Sequence, residues 1–287
     1  MIRLLAVDID GTLLDSRGRL PDAHHEALAA AAARGISVAL VTGRSFHFTR
    51  HVVDRLLLPV TVIVNNGAVV KQRDGTTLMR HVLPRDAARA VLEHTRAFDD
   101  SVAIVFDRTD VDDERQIVYE RMDWTHPQRS GYYEKNKAFI ASAPVSLADA
   151  LADDDPIQVM FNGGVEPMRA LVRDLRSAPM AGRYSVAITE YEQRDFSLVD
   201  VNAAGCSKGT TLARWAAEQG CRREEVMAVG DNLNDLEMLD FAGTAVVMGN
   251  AADIVKRARP FYVTGTNDEG GLADAIRRFA LNPDCQQ

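Results

Sequence analysis

Cysteine is nearly missing from this chain: Cys206, Cys221 and Cys285 are the only three in 287 residues. An odd, sparse set suits free thiols in a reducing compartment better than a secreted disulfide framework, so the cytoplasm is the expected location. Long apolar runs are also lacking. The longest, Leu56 to Val64, contains Pro59 and falls well short of the ~20 residues that span a bilayer. At the N-terminus, Asp8 interrupts the apolar start before a signal sequence could develop its hydrophobic region. Positive charge is in deficit, with a formal net charge of −8. That balance argues against a chain whose task is to coat nucleic acid or an anionic membrane. The glycine-rich nucleotide loops and the two-histidine zinc helix are absent too, which removes support for those chemistries. Lysine is scarce even among the cations, at five of 33 basic residues.

What is present is a globular pattern: 46% hydrophobic and 26% charged residues. A chain this long can bury ~75% of its unfolded surface and suggests about two domains. Leu4 to Val7, Ile36 to Val41 and Val60 to Val64 read as buried strands, separated by helices over Pro21 to Arg34 and Ser45 to Leu57. Continuous apolar strands alternating with helices predict a parallel sheet covered on both faces. The rhythm resumes near the C-terminus, with a helix over Lys208 to Gln219, strands at Val226–Val229 and Thr244–Met248, and helices at Asn234–Phe241 and Gly271–Ala280. Between these parts the strands alternate polar and apolar residues and are divided by charged turns such as Asp110–Glu114 and Asp153–Asp155, as in an α+β unit with a largely antiparallel sheet. The expected fold is therefore α/β: a doubly wound, mostly parallel, Rossmann-like core made of 1–82 and 203–287, with an α+β domain inserted at 83–202.

The chemistry gathers at expected strand ends, where open parallel sheets form their binding crevice. Asp8-Ile9-Asp10-Gly11-Thr12-Leu13-Leu14 follows the first strand, and two carboxylates this close need a cation or a shared proton. Thr42-Gly43-Arg44 ends the second strand before a helix, offering a hydroxyl and free N–H groups to an anion. Gly230-Asp231-Asn232-Leu233-Asn234-Asp235 follows a late strand with two carboxylates and two amides, more than a helix cap needs. Lys208 stands at a helix start, where a cation opposes the helix dipole. Hard carboxylate oxygens with room for water and a phosphate oxygen describe a Mg²⁺ site, and a lysine with helix-start amides would neutralise a phosphoryl group.

These runs, together with Asn65-Asn66-Gly67-Ala68, Ser207-Lys208-Gly209 and Met248-Gly249-Asn250-Ala251, resemble the haloacid dehalogenase superfamily. Specifically, they resemble its Cof-type phosphatases with a large type C2 (IIB) cap. The resemblance implies that Asp8 is the nucleophile, forming an aspartyl-phosphate, and that Asp10 is the general acid and base. It implies Mg²⁺ held by Asp8, the Asp10 backbone carbonyl and Asp231. Thr42, Gly43, Lys208 and Asn234 would bind phosphate, and Asp235 would orient Lys208 or a metal-bound water. Arg44 and Asn66 are candidates for substrate contact, as is Arg194 in the insert. The implied partner is a small phosphorylated metabolite, sugar phosphates first, with pyridoxal phosphate and nucleotides as alternatives. Two rival functions use similar residues, a sugar phosphomutase of the same superfamily and a phospho-accepting signalling receiver; Asp10 speaks against the receiver, since an acid–base group there speeds hydrolysis. His47 and His51, four apart on a helix, lack an evident third metal ligand, and Trp124 with Tyr132 and Tyr133 is expected to pack in a core.

Overall fold

A computed structural model describes residues 1–108, 115–143, 145–152 and 154–282. The chain packs as two compact units, Met1–Leu78 together with the chain from Ser207 onward, and Met79–Cys206. The order begins β1 (Leu4–Val7), α1 (Asp22–Ala33), β2 (Ser37–Val41), α2 (Phe46–Leu56), β3 (Thr61–Val64), β4 (Val69–Gln72) and β5 (Thr77–Arg80). It continues with α3 (Arg85–His94), β6 (Val102–Val105), β7 (Ile117–Tyr119), α4 (Pro127–Asn136), β8 (Ile140–Ser142), α5 (Leu147–Ala150), β9 (Gln158–Gly163), α6 (Val165–Ser177), β10 (Tyr184–Tyr191) and β11 (Phe196–Ala203). The last stretch holds α7 (Lys208–Glu218), β12 (Val226–Gly230), α8 (Leu236–Phe241), β13 (Thr244–Val247), α9 (Asp253–Lys256), β14 (Tyr262–Val263) and α10 (Gly271–Ile276).

The larger sheet runs β14-β13-β12-β1-β2-β3-β4-β5. It is parallel from β14 to β3, and β4 joins antiparallel to β3. Every residue of β1 and β12 is buried, the signature of strands covered on both faces. The sequence pattern missed β4 and β5, because polar residues interrupt these four-residue strands and leave no clean period. Lys71 on β4 is itself buried and donates to Thr77 Oγ1 at 2.7 Å. Most predicted helices lose a residue or two at their ends, as with α2, which starts after Ser45 and stops before Leu57 in the left-handed region, whereas α10 stops at Ile276, four residues short of the expected Ala280, and passes into a π-type turn over Arg277–Leu281.

The six-stranded sheet of the other unit runs β10-β11-β9-β6-β7-β8. It is antiparallel except where β7 meets β8. Helix α6 buries Val165, Met168, Leu171, Val172 and Leu175, one stripe of a 3.6-residue period, in a core with Ile104, Phe106, Phe161, Val199 and Val201. Helix α4 was not anticipated, since Gly131 in its middle dilutes the helical signal. The expectation of core aromatics is corrected here: Trp124 and Tyr133 are half-buried, Tyr132 is exposed, and Trp124 meets Tyr119 edge-to-face and Tyr133 at a tilt, with ring centroids 5.1 and 4.6 Å apart. The turn expected at Asp110–Glu114, Asp153 of the second charged turn, and Cys285 lie outside the described residues. Among the described residues, no helix is long and apolar enough to cross a membrane.

Candidate active site

Neighbouring parallel strands bring the two acidic motifs together. β1 and β12 pair in the register Val7↔Val229, and the ladder continues one step, with Asp8 N donating to Val229 O at 3.0 Å. Beyond Asp8 the chain makes a tight π-type turn over Ile9–Leu13, closed by Leu13 N to Asp8 O and Leu14 N to Ile9 O. Gly11 in this turn has φ +80°, and a Cβ there would lie 2.3 Å from Asp231 Oδ2. Only glycine tolerates both the dihedral and the approach.

Lys208 is the hub. Ser207 caps α7 by accepting from Thr210 N, which sets Lys208 in the first helical position. Its Nζ donates to Asp8 Oδ1 at 2.7 Å and to Asp235 Oδ1 at 2.6 Å, and all three residues are almost completely buried. The other oxygen of Asp235 accepts from the backbone N–H groups of Asp231 and Asn232, both at 2.9 Å. Asp231 Oδ1 accepts from Thr12 Oγ1 at 3.0 Å.

Burial dominates the electrostatics. It pushes the Asp8 carboxyl up to about 8, with Lys208 pulling it down and Asp235 and Asp10 pushing it further up. Burial likewise raises Asp231 well above the carboxylate range, and the neighbouring Asp8 and Asp235 add to the rise. For Lys208, burial works against the charged form, but Asp235 and Asp8 outweigh it and hold its pKa above the ordinary lysine value.

A second cluster lines up beside the first. Arg44 grips Asp10 with both arms of its guanidinium, Nε to Oδ2 at 2.7 Å and Nη2 to Oδ1 at 2.6 Å. Thr42 is buried, and its hydroxyl accepts from Arg44 N at 3.1 Å. Asn65, Asn66 and Gly67 all have positive φ, a conformation that asparagine and glycine tolerate best. This turn docks on α7, with Thr211 Oγ1 donating to Gly67 O at 2.9 Å. Asn234 Nδ2 donates to Asn66 Oδ1 at 2.9 Å, and a Cβ on Gly43 would lie 3.2 Å from Asn66 and 3.6 Å from Asn234. Asn234 Oδ1 is buried with no hydrogen-bond partner.

Oxygens of Asp8, Asp231 and Asp235 lie within 4.8 Å of one another, the one such group of potential metal ligands among the described residues. Both Asp235 oxygens already carry donors. The oxygens left for a cation are Asp8 Oδ2 and Asp231 Oδ2. The donor set is all hard oxygen, and four carboxylates (Asp8, Asp10, Asp231, Asp235) face two cations (Lys208, Arg44), leaving two formal negative charges. A divalent hard cation fits that balance. His47 and His51 on α2 contribute to no such group, and Arg194 is exposed in a short turn of the other unit. Sequence reasoning had no signal for the Thr12–Asp231 and Arg44–Asp10 contacts; Thr12 lies inside the first motif, but its partner is far away in sequence.

A family model described as haloacid dehalogenase-like hydrolase matches residues 5–276. The chain belongs to this family. Among its curated relatives, the 5-amino-6-(5-phospho-D-ribitylamino)uracil phosphatase YcsE of Bacillus subtilis is 28% identical, over 98% of this chain and 96% of the relative. Pyridoxal phosphate phosphatase YbhA of Escherichia coli is 30% identical, over 96% of this chain and 97% of the relative. A solved haloalkanoate-superfamily phosphatase, BT1666 of Bacteroides thetaiotaomicron, shares the fold with a TM-score of 0.77 at 29% identity, covering 98% of this chain and 96% of the other. The superfamily resemblance drawn from the motifs therefore holds, and the strand-end cluster of this haloacid dehalogenase-like chain lies within the matched span.

Proposed function

We propose that the chain is a Mg²⁺-dependent hydrolase of small phosphoric monoesters working through an aspartyl-phosphate. The observation that carries this reading is the buried Lys208 bridging Asp8 and Asp235 while Asp8 keeps one oxygen without a donor. Asp8 Oδ2 attacks phosphorus as the bond to the leaving oxygen breaks, and Asp10 gives that oxygen its proton. Asp10 then takes a proton from water as the water attacks the acyl phosphate, which returns Asp8 as a carboxylate and releases inorganic phosphate. Lys208, the Thr42–Gly43 turn and Asn234 bind the phosphoryl oxygens, and Asp235 holds Lys208 in place. Mg²⁺ held by Asp8, the Asp10 carbonyl and Asp231 would offset repulsion between Asp8 and a phosphate dianion.

The unit 79–206 is proposed as the substrate-selecting cap and the cytoplasm as the location, with no nucleic-acid or membrane partner. The relatives named for a phosphoribitylamino-uracil and for pyridoxal phosphate favour small, polar phosphate esters, and sugar phosphates are the first class to test. Hydrolysis of p-nitrophenyl phosphate with and without Mg²⁺, for the wild type and Asp8→Asn, checks the chemistry. A panel of sugar phosphates, pyridoxal phosphate and nucleotides ranked by kcat/KM checks the substrate class. We expect Mg²⁺-dependent turnover that Asp8→Asn abolishes; metal-dependent turnover surviving in Asp8→Asn would remove Asp8 as nucleophile.

A further inference from the structure

The Met248-Gly249-Asn250-Ala251 segment contributes nothing to the Lys208 cluster, yet it is tied to the turn that carries Asp10. Asn250 Nδ2 donates to Gly11 O at 2.9 Å, and Asn250 Oδ1 accepts from Asn267 N at 3.0 Å. Asn267, almost fully buried, donates from Nδ2 to Leu14 O at 2.8 Å. Asp268 Oδ1 accepts from Ser16 N at 2.8 Å, and His24 Nδ1 meets Leu13 O at 2.9 Å. The carbonyls of Gly11, Leu13 and Leu14 are thus each held by a side chain, beside the two backbone bonds that close the turn.

The bridging segment is itself held in shape. Gly249 N donates to Gly265 O at 2.9 Å, and a Cβ on Gly249 would lie 2.8 Å from Thr264 O. Thr266 and Glu269 form a reciprocal cap around Asn267. The two amides are presented from a packed strand connection rather than from a free loop.

The residue so held is the one with the most backbone freedom. Gly11 at φ +80° can relax into conformations closed to other residues. Any such relaxation would swing the Asp10 peptide and pull Gly11 off the Asp231 carboxylate that it touches. We propose that Asn250 and Asn267 are positioning residues for the metal site, clamping Gly11 and Leu14 so that the Asp10 carbonyl and Asp231 keep a fixed separation. This inference rests on the reading of Asp8, Asp10 and Asp231 as metal ligands.

The test is Asn250→Ala, a change at an exposed side chain that should leave folding intact, with Asn267→Ala as the buried counterpart. Binding of Mn²⁺ to the substrate-free protein is read by electron paramagnetic resonance, and kcat and KM for p-nitrophenyl phosphate are read separately. Supporting groups behind metal ligands typically matter by ~10–100-fold in affinity or activity. Asn250→Ala should weaken Mn²⁺ binding by about 10-fold and lower kcat while KM stays within about twofold, at an unchanged melting temperature. Mn²⁺ affinity and kcat at wild-type levels in Asn250→Ala would overturn the clamp. So would an Asn267→Ala protein that melts earlier but binds Mn²⁺ normally, since its role would then be structural only. A wild type that binds Mn²⁺ but hydrolyses no phosphate ester would sink the phosphatase reading while the Mn²⁺ comparison still decides the clamp; a wild type that binds no Mn²⁺ overturns both.

Discussion

Replacing Lys208 with methionine isolates the energetic role of the buried cation. Its Nζ lies 2.7 Å from Asp8 and 2.6 Å from Asp235, and none of the three side chains has appreciable contact with solvent. Methionine keeps the apolar stem but leaves Asp235 Oδ1 bare and Asp8 without its donor. Breaking a buried pair by removing one partner costs ~3–5 kcal/mol. In a domain of this size that corresponds to a fall of about 6–20 °C in melting temperature. The cost depends on pH, and its sign can be worked out. Burial already places the folded-state pKa of Asp8 at about 8, far above its unfolded value of 3.8. Such a group adds stability below the unfolded value and loses it as pH rises toward the folded one. Lys208 opposes that rise, so its removal pushes the folded value higher and extends the loss to more alkaline pH. Lys208 itself stays charged across neutral pH, because its own pKa is held above the lysine range. Calorimetry of the metal-free wild type, Lys208→Met and Lys208→Met/Asp235→Asn at pH 6 and pH 9 reads the effect. Lys208→Met should melt early, more so at pH 9, and the double variant should recover part of the loss. A single variant within about 2 °C of the wild type at pH 9, or a double variant no more stable than the single, would refute strong coupling in the triad.

Mg²⁺ binding at pH 7 should release protons. Asp8 is held up to about 8 and Asp231 well above the usual range, chiefly by burial, and both must ionise to meet a cation. Apparent affinity should therefore climb as pH rises toward 8; calorimetric titration in two buffers of different ionisation enthalpy counts the protons, and a count of zero would contradict it. Gly11→Ala places a methyl group 2.3 Å from Asp231 Oδ2 in a backbone conformation at φ +80°. It should cost about 1–2 kcal/mol from the left-handed backbone alone and weaken Mn²⁺ binding by ~10-fold or more; normal Mn²⁺ binding would mean that the turn does not need its close approach.

The core strands were legible because they are buried on both faces, so Leu4–Val7 and Val226–Val229 read as unbroken apolar runs. The acidic motifs were legible because each follows such a run directly. Lys208 could be picked out because lysine is rare in this chain and a helix start is an unfavourable place for one. Arg44 and Asn66 show where spacing gives out. Both are candidates for substrate contact, and what local spacing does not show is that Arg44 pairs with Asp10 and Asn66 with Asn234. Those pairings depend on four strand ends converging, those of β1, β2, β3 and β12, which no local pattern encodes. Asn250 stood in the Met248–Ala251 run, but its contacts were hidden, as Asn267 was altogether: they are made to backbone groups, which every residue has. The short strands β4, β5 and β8 and the glycine-containing α4 carry too little periodicity to register at all.

Burial on both faces leaves a question of register. A one-residue slip between half-buried strands is punished because it turns apolar side chains into water. In β1 and β12 both faces are apolar, so that penalty is weak. What remains are bonds at the strand ends. At the start, Arg3 N donates to Glu225 O at 2.8 Å and Arg3 Nη1 to Gly220 O at 2.7 Å. At the finish, Asp8 N reaches Val229 O, and the Asp8 side chain reaches Lys208, 200 residues away in sequence. A slip would displace Asp8 by ~3.3 Å and turn it to the opposite face. That shift exceeds the 2.7 Å contact that holds its carboxylate to Lys208. The polar cluster therefore specifies the pairing of the two strands that create it. The carboxylate separation in the proposed site and the register of the two strands are fixed by the same contacts.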